Sequence, residues 1–371
     1  MKLRPYQKRD VQSILQMVSK NQHSAYVLPT GGGKTLVVGY VILSLIKEYK
    51  RIMFSVPRVS LITQTIKVFK GLGINCGEKH DNNQVIVICN YSVKRYINKI
   101  KPDFIIFDEA HIAIHMQEEI MKKRNCKVLG ITATPECLRS REKILKFSDV
   151  YSKKHFGPNI NELTKTGHLV PVQAKYYNFD DDEISLNASG DFNGKEAFDS
   201  IQKQGTVVKV AKEINKHPEQ KHILIFTISL AAVKEITKYL NKKCGGGFVG
   251  VTSKDYEYGR GKKKLGRYKL HEQIYDDFEA GKIRGIVNCN LINFGWDKPC
   301  VDTIYQLRPT MSKALYLQMI GRGLRPDTNK KFVRLYDMVG NIKRFNENGV
   351  PLYEVGDIKW ENDKINKRRF P

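Results

Sequence analysis

The residues with the clearest chemistry form a glycine-rich stretch between a short apolar run and a longer one. In order they are Pro29, Thr30, Gly31, Gly32, Gly33, Lys34 and Thr35. Glycines let backbone N–H groups turn inward around phosphate oxygens at a helix start, while the lysine reaches the β/γ-phosphates and the threonine hydroxyl reaches Mg²⁺. Leu28 stands at the first glycine position of the strict phosphate-loop pattern, so a chance glycine-rich turn is the alternative. The stretch predicts a nucleotide-phosphate site.

Two adjacent carboxylates offer the second half of that chemistry. Asp108 and Glu109 follow the apolar run 104–107, and α/β proteins place ligand sites where parallel strands end. Asp108 would hold Mg²⁺ directly or through water, and Glu109 would orient and deprotonate an attacking water. The alternative is that the pair only forms the cap and first turn of a helix. His111 is either a surface histidine or a link from this site to a neighbouring domain.

These residues need a scaffold of parallel strands, and the first half of the sequence predicts one. Short β-branched and aromatic runs alternate with longer segments of helical period, which is typical of a doubly wound sheet. One helix is indicated by Val11, Ile14, Leu15 and Val18, which have the spacing of a buried helical face. The predicted strands are residues 25–28, 52–56, 85–88, 104–107 and 128–131.

The same alternation restarts in the second half and predicts a second α/β domain. Residues 165–171 are expected to cross between the domains with a hinge near residue 165, and residues 180–194 are acidic with little regular pattern. The predicted domains are residues 1–164 and 165–345, followed by a basic tail at 346–371. The strands predicted for the second domain are residues 223–226, 248–251, 285–288, 303–307 and 333–336, with a helix at 231–240.

Composition limits the kinds of partner. The 371 residues carry a net charge of +25, which favours a polyanion such as nucleic acid over an anionic membrane or a merely basic surface. The seven cysteines are scattered without CxxC pairs, so we expect neither a disulfide framework nor a zinc site, and a reducing cytosol. The N-terminus lacks an apolar core segment, and no stretch approaches the roughly 18 apolar residues of a membrane span. Secretion and membrane insertion are not expected.

From Leu3 to Phe345 the order and spacing of the motifs resemble those of superfamily 2 helicases of the DEAH type. The glycine-rich stretch and residues 108–111 match the phosphate loop and the DEAH motif. Residues 3–7 resemble the Q motif, residues 132–135 the TAT motif and residues 318–325 the QxxGRxxR motif. The resemblance implies an α/β fold of two tandem RecA-like domains with parallel sheets, and ATP with Mg²⁺ in the cleft between the domains.

The resemblance also assigns roles to single residues. Gln7 would read the adenine edge with help from Arg4. Arg322 and Arg325 would be arginine fingers, because a planar and always charged guanidinium suits the charge spread over the γ-phosphoryl oxygens. Gln318 would contact the γ-phosphate or the attacking water. ATP binding would then close the cleft and hydrolysis would reopen it.

Residues 287–299 resemble motif V. They keep Gly295 and Asp297, expected at the nucleotide, but Cys289 and Asn290 stand where the family has a threonine and an acidic residue that contact nucleic acid. The other contacts of the family are to phosphate and sugar and carry no sequence preference. By the resemblance they fall on Pro57, Arg58, Asn90, Tyr91, Ser92 and Thr227.

Residues 254–269 form a basic segment that looks like an insertion between two motifs of the second domain. Cations that neutralise phosphates alternate there with tyrosines that can stack on bases, which predicts a single-strand or junction contact. The alternative is a solvated flexible loop without a role. The cations that we expect to bind nucleic acid are Lys262, Lys263, Lys264 and Arg267.

Within the superfamily, residues 307–310, 318–326 and 335–337 look closest to bacterial RadD-type repair helicases and phage branch-migration helicases. The C-terminal zinc-binding region of RadD-type proteins is not expected, because the sequence stops just past the motor core. We expect a monomeric ATP-dependent DNA helicase or translocase of bacterial or phage-infected cytoplasm. It would act on single-stranded, forked or branched DNA in replication, recombination or repair. The alternatives are a double-strand translocase motor of a larger assembly, an RNA helicase and an inactive nucleic-acid sensor.

Overall fold

The computed structural model describes residues 2–78, 82–135, 146–252, 273–289, 298–328, 330–347 and 359–360. The chain divides into two compact units, Met1–Glu162 and Leu163–Pro371. The division falls inside a short helix, Ile160–Lys165. Each unit is an α/β domain built on one seven-stranded parallel sheet.

The first unit carries a sheet in the order β3-β4-β2-β5-β6-β1-β7. The central strands β2 and β4 are buried along their whole length, because helices cover both faces of a parallel sheet and such strands must be apolar on both sides. The strands are β1 (His23–Val27), β2 (Ile52–Val56), β3 (Cys76–Glu78), β4 (Val85–Cys89), β5 (Phe104–Asp108), β6 (Lys127–Thr132) and β7 (Lys153–Phe156).

Helices connect these strands and bury one face each. In α1, Ile14 and Val18 are buried as the helical spacing predicts. The helices are α1 (Pro5–Lys20), α2 (Lys34–Leu45), α3 (Ser60–Gly71), α4 (Val93–Ile100), α5 (Ile114–Lys123), α6 (Phe147–Val150) and α7 (Ile160–Lys165). A 3₁₀ turn, Asn90–Ser92, joins β4 to α4.

The second unit repeats this architecture in the order β10-β11-β9-β12-β13-β8-β14. Its strands are β8 (Val172–Tyr176), β9 (Ile223–Thr227), β10 (Phe248–Val251), β11 (Gly285–Asn288), β12 (Thr303–Leu307), β13 (Val333–Asp337) and β14 (Lys359–Trp360). Its helices are α8 (Gly194–Lys203), α9 (Thr206–Lys216), α10 (Leu230–Lys243), α11 (residues 273–279), α12 (Lys313–Gly321) and α13 (Asn341–Glu347).

All ten strands predicted from the sequence are confirmed, with ends shifted by at most two residues. Four strands were not predicted: β3, β7, β8 and β14. β3 and β7 are the edge strands of the first sheet and β14 is an edge strand of the second, and short or polar edge strands such as β7, with sequence KKHF, lack the apolar run of a central strand.

The acidic segment 180–194, for which the sequence indicates no regular pattern, is folded against the second sheet. Leu186 and Phe192 form an isolated antiparallel bridge. The Asp191 carboxylate accepts hydrogen bonds from the Met311 N–H at 2.8 Å and the Thr310 hydroxyl at 3.2 Å, just beyond the end of β12. Charge pairing and backbone capping therefore order a segment that apolar periodicity does not reveal. Across the described ranges, no helix is long and apolar enough to cross a bilayer.

Candidate functional site

The glycine-rich stretch is a tight loop between β1 and α2. Gly31 and Gly33 have φ values of +86° and +83°, a region that residues with a Cβ rarely adopt, and α2 begins at Lys34. The Lys34 ammonium donates a hydrogen bond to the Leu28 carbonyl at 3.2 Å. Leu28 is fully buried and its side chain fills the space beside Gly32, where a Cβ would lie 2.7 Å from Leu28 Cγ. Leu28, which stands in place of the first glycine of the strict pattern, thus packs against the base of the loop.

The N-terminal end of α1 holds this loop in place. The Tyr6 hydroxyl and the Gln7 amide Nε2 both donate to the Gly32 carbonyl, at 2.7 and 3.0 Å. The Arg4 N–H donates to Gln7 Oε1 at 2.9 Å, so both ends of the Gln7 amide are engaged. Sequence reasoning missed Tyr6, although it lies within the motif at residues 3–7.

The acidic pair stands at the end of β5, one strand away from β1 across β6. The Glu109 N–H donates to Asp108 Oδ1 at 3.0 Å, and Glu109 has a φ of +48°. Burial and the neighbouring Glu109 carboxylate raise the pKa of Asp108 to about 7, and the Lys34 ammonium partly opposes that rise. The phosphate-loop lysine and the acidic pair therefore act on one another electrostatically.

His111 links the acidic pair to the loop after β6. Its Nδ1 lies 2.8 Å from the Thr132 hydroxyl and 3.5 Å from Glu109 Oε2. The Thr132 hydroxyl donates to the Thr134 carbonyl at 2.9 Å and accepts the Thr134 N–H at 3.0 Å, so its single proton is already used. His111 Nδ1 is then the donor to Thr132. Burial lowers the pKa of His111, which keeps the imidazole neutral with its proton on Nδ1.

Three buried oxygens around these groups have no hydrogen-bond partner among the described residues: Thr30 Oγ1, Glu109 Oε2 and Thr134 Oγ1. Buried polar atoms are rarely left unpaired without a reason. A lysine, two carboxylates, a hydroxyl-bearing loop and inward-facing backbone at a helix start suit a magnesium-bound triphosphate. The residues that could hold the metal are Thr35 and Asp108. The arrangement fits ATP with Mg²⁺.

The QxxGRxxR residues lie on and just after α12 in the second unit. Gln318 and Arg322 are buried and Arg325 is partly buried. The Ser312 hydroxyl caps the helix by accepting the Leu315 N–H at 3.2 Å. The loop before it is fixed from two sides, because Thr310 donates its N–H to Asn341 Oδ1 at 3.0 Å and its hydroxyl to Asp191.

The predicted nucleic-acid contacts of the first unit lie on two neighbouring loops. Pro57 and Arg58 follow β2, and residues 90–92 follow its partner β4. Tyr91 is 89% exposed, whereas Asn90 is buried and accepts a 2.5 Å hydrogen bond from the Ser55 hydroxyl on its Oδ1. Asn90 therefore supports the loop, and Tyr91 is the side chain presented to solvent.

Two of the predicted nucleic-acid contacts of the second unit are buried, and the others lie outside the described residues. Thr227 and Cys289 are buried at the ends of β9 and β11. The structure does not bring their side chains to the surface. The remaining predicted residues lie outside the described ranges: Asn290, Gly295, Asp297, Lys262, Lys263, Lys264 and Arg267.

Two family models match the chain. The model described as type III restriction enzyme, res subunit, matches residues 1–137, and the helicase conserved C-terminal domain matches residues 205–327. A 51.5 kDa protein of a Lactococcus phage is 27% identical over 87% of this chain and 66% of its own length. IRC3 of Saccharomyces cerevisiae, a candidate ATP-dependent helicase, is 25% identical over 91% of this chain and 51% of its own. The chain thus spans about half to two thirds of the length of these relatives.

Solved structures support the same fold. A fragment of a candidate HsdR subunit of a type I restriction enzyme from Vibrio vulnificus superposes with a TM-score of 0.72 at 17% identity, over 96% of this chain and 67% of that one. The ATP-dependent type ISP restriction-modification enzyme LlaBIII, bound to DNA, gives 0.63 at 15% identity over 90% and 27%. The chain is thus similar to helicases in both units, since residues 1–137 match the res subunit of type III restriction enzymes and residues 205–327 match the helicase conserved C-terminal domain.

Proposed function

We propose that the chain hydrolyses ATP at the C-terminal edge of the first sheet and uses the cycle to move along or remodel DNA. The observation that carries this proposal is the convergence of Lys34, Asp108 and Glu109 where β1 and β5 end. Buried oxygens of Thr30 and Glu109 there lack a hydrogen-bond partner among the described residues and are available to a ligand or to water.

In this proposal the loop amides and Lys34 bind the phosphates. The Lys34 ammonium leaves the Leu28 carbonyl, a weak acceptor, for the more negative β/γ-phosphate oxygens. Mg²⁺, held by Thr35 and Asp108, would neutralise charge on the phosphates. Glu109 accepts the proton of the attacking water on Oε2, the atom that has no hydrogen-bond partner among the described residues.

The resemblance assigns roles toward ATP to four further residues. Gln318, Arg322 and Arg325 are expected to act on the γ-phosphoryl group once ATP is bound, since their charge matters most in the transition state. Gln7 is expected to read adenine. Because the Gln7 amide is already bonded to the Gly32 carbonyl, base recognition and the conformation of the phosphate loop should be coupled.

DNA is the proposed track. The net charge of +25 suits a polyanion. The exposed Tyr91 after β4 offers a stacking surface, and the half-buried Arg58 after the neighbouring strand β2 offers a cation. The DEAH, TAT and QxxGRxxR set is common among DNA motors, and LlaBIII, which shares the fold, is bound to DNA. RNA remains the alternative track.

A second candidate is a double-strand translocase that drives a larger restriction or repair assembly. It is favoured by the match of residues 1–137 to the res subunit of type III restriction enzymes. It differs from a helicase because strands are not separated. A triplex-displacement assay detects translocation on intact duplex, whereas release of a labelled strand from a fork detects unwinding.

An ATPase titration tests the proposal. Hydrolysis would be measured against single-stranded, duplex, forked and four-way-junction DNA and against matched RNA. We expect stimulation by at least one DNA form that exceeds stimulation by RNA of the same structure. Stronger stimulation by RNA would reverse the choice of track, and no hydrolysis with any nucleic acid would overturn the proposed function.

A further inference from the structure

A groove of about 720 Å³ lies between α4 and α5 of the first unit. Pro102, which precedes β5, and Asn125, which precedes β6, line it. The groove therefore opens at the N-terminal edge of the sheet, opposite the edge that carries the phosphate loop. Its polar lining consists of Lys94, Asn98, Glu119, Lys123, Arg124 and Asn125. One carboxylate thus faces three cations and two amides.

The cations of α4 are placed against the preference of the helix itself. Lys94 and Arg95 lie in the first turn, which contains no acidic residue, although the helix dipole favours negative charge there. Arg95 and Lys99 both lie over the Tyr96 ring, with Arg95 Cζ at 5.5 Å and Lys99 Nζ at 5.9 Å from its centroid. α4 therefore carries three exposed cations, of which the two in its first turn, Lys94 and Arg95, are placed against the helix dipole.

Glu119 marks a position where two cations already hold one anion. Its carboxylate lies 2.8 Å from the Lys123 ammonium and 2.5 Å from the Lys94 ammonium, and these hydrogen bonds lower the pKa of Glu119 to about 2. The pairs are solvent-exposed, and exposed ion pairs contribute little to stability. A phosphate oxygen can take the place of the carboxylate between the same two ammonium groups.

We propose that this groove binds the phosphate backbone of nucleic acid, as an extension of the interface that begins at Tyr91. The inference rests on the proposed function. α4 starts directly after the turn that presents Tyr91, and its eight residues lead to the groove, a path of about 12 Å at 1.5 Å per residue. An acidic protein segment would also suit the cations, but the continuity with an exposed stacking side chain favours nucleic acid.

Salt dependence of binding tests this inference. Fluorescence anisotropy would measure the affinity of labelled single-stranded and duplex DNA over a range of salt concentrations. Each lost phosphate contact lowers the slope of log affinity against log salt by roughly 0.7 to 0.9. Replacing both lysines of the groove, Lys94→Ala with Lys123→Ala, should therefore flatten the slope by roughly 1.4 to 1.8. The matched control, Lys47→Ala with Lys122→Ala, removes two exposed cations that do not line the groove and should leave the slope near that of the wild type.

A single substitution should have the opposite effect on DNA affinity and on its salt dependence. Glu119→Gln removes the competing carboxylate charge but retains the hydrogen-bonding shape, so DNA should bind several-fold more tightly and the slope should become steeper. An unchanged slope in the variant that lacks both lysines, together with an unchanged affinity in Glu119→Gln, would overturn the groove assignment. The same result is expected if the groove binds an acidic protein segment instead of nucleic acid. Failure of the wild-type chain to bind any nucleic acid would instead overturn the proposed function.

Discussion

The two units share one strand order but differ at the sheet edge where the strands end. By position in the sheets, β1 corresponds to β8, β5 to β12 and β6 to β13. In the first unit these strands lead into the phosphate loop, the acidic pair and the Thr132 loop. In the second unit they lead into the acidic segment 180–194, the loop at residues 308–312 and the turn that starts α13.

The carboxylates at the second edge accept hydrogen bonds from other groups of the protein. Asp191 accepts the Met311 N–H and the Thr310 hydroxyl. Asp337 accepts the Val339 N–H at 3.1 Å and the Ile342 N–H at 2.6 Å. At the first edge, Glu109 Oε2 is buried without a hydrogen-bond partner among the described residues. The two edges thus differ in their carboxylates: Asp191 and Asp337 accept hydrogen bonds from the protein, whereas Glu109 Oε2 accepts none from the described residues.

The largest expected effect comes from the phosphate loop. Lys34→Ala should reduce ATP hydrolysis to background with the fold intact, because it removes the cation that meets the β/γ-phosphates. Lys195→Ala is the matched control, since Lys195 is exposed in the first turn of α8, the helix that follows β8. Steady-state ATPase assays with circular dichroism would check both. Normal turnover in Lys34→Ala would contradict the assignment of the first edge.

The arginines of the second unit come next. Arg322→Ala or Arg325→Ala should each lower turnover by about 10³ or more, with a much smaller change in ATP affinity, because their charge acts mainly in the transition state. Measurements of kcat and of nucleotide Kd would separate the two effects. A loss of affinity with a normal maximal rate would show that these arginines bind the ground state.

Asp191 tests whether the second edge is structural. Asp191→Ala should cost about 1–3 kcal/mol of unfolding free energy, because the Met311 N–H and the Thr310 hydroxyl lose their acceptor. Urea denaturation would measure the loss, and Asp182→Ala, at an exposed position of the same segment, should cost much less. Equal stability of the two variants would mean that the segment does not fix the loop before α12.

Replacement of Asp108 should raise the stability of the nucleotide-free protein, whereas replacement of Asp191 should lower it. Its pKa is raised to about 7 in the folded chain, above the ordinary value of about 3.9. Between these pH values the folded state holds more protons than the unfolded state, so wild-type stability falls as the pH rises. Asp108→Asn removes that titration, so above pH 7 this variant should be more stable than the wild type and should unfold at a higher Tm.

Thermal unfolding in the presence of EDTA, across pH 4 to 8, would follow this difference. It should shrink as the pH approaches the unfolded value near 4. Identical pH profiles for the two proteins would mean that Asp108 is not strained by burial in the absence of ligand.

The first edge could be predicted from the sequence more fully than the second. Continuous apolar runs such as residues 52–56 and 104–107 predict central strands, and Lys34, Asp108 and Glu109 carry their chemistry in their types and order. β7 and β8 could not be predicted, because polar residues interrupt their apolar pattern. The bonds from Tyr6 and Gln7 to the Gly32 carbonyl span 26 and 25 residues, respectively, and no local pattern encodes such contacts.

Several of the predicted nucleic-acid contacts are buried in the structure. The resemblance predicts Asn90, Thr227 and Cys289 as nucleic-acid contacts, but their side chains are buried, and only Tyr91 of the turn at residues 90–92 is widely exposed. Alignment with a motif gives the position of a residue along the chain, whereas exposure depends on the packing of neighbouring strands. The role of the buried residues in nucleic-acid binding remains a prediction that mutation can test.

The central claim is that the chain has one nucleotide site, at the edge of the first sheet. Equilibrium binding of ATP with Mg²⁺ to the Glu109→Gln variant measures it most directly, because this variant should bind ATP without turning it over. We expect one ATP per chain, with binding lost when Lys34→Ala is added and retained when Lys195→Ala is added. Binding of more than one ATP, or binding that survives Lys34→Ala and fails with Lys195→Ala, would contradict the claim.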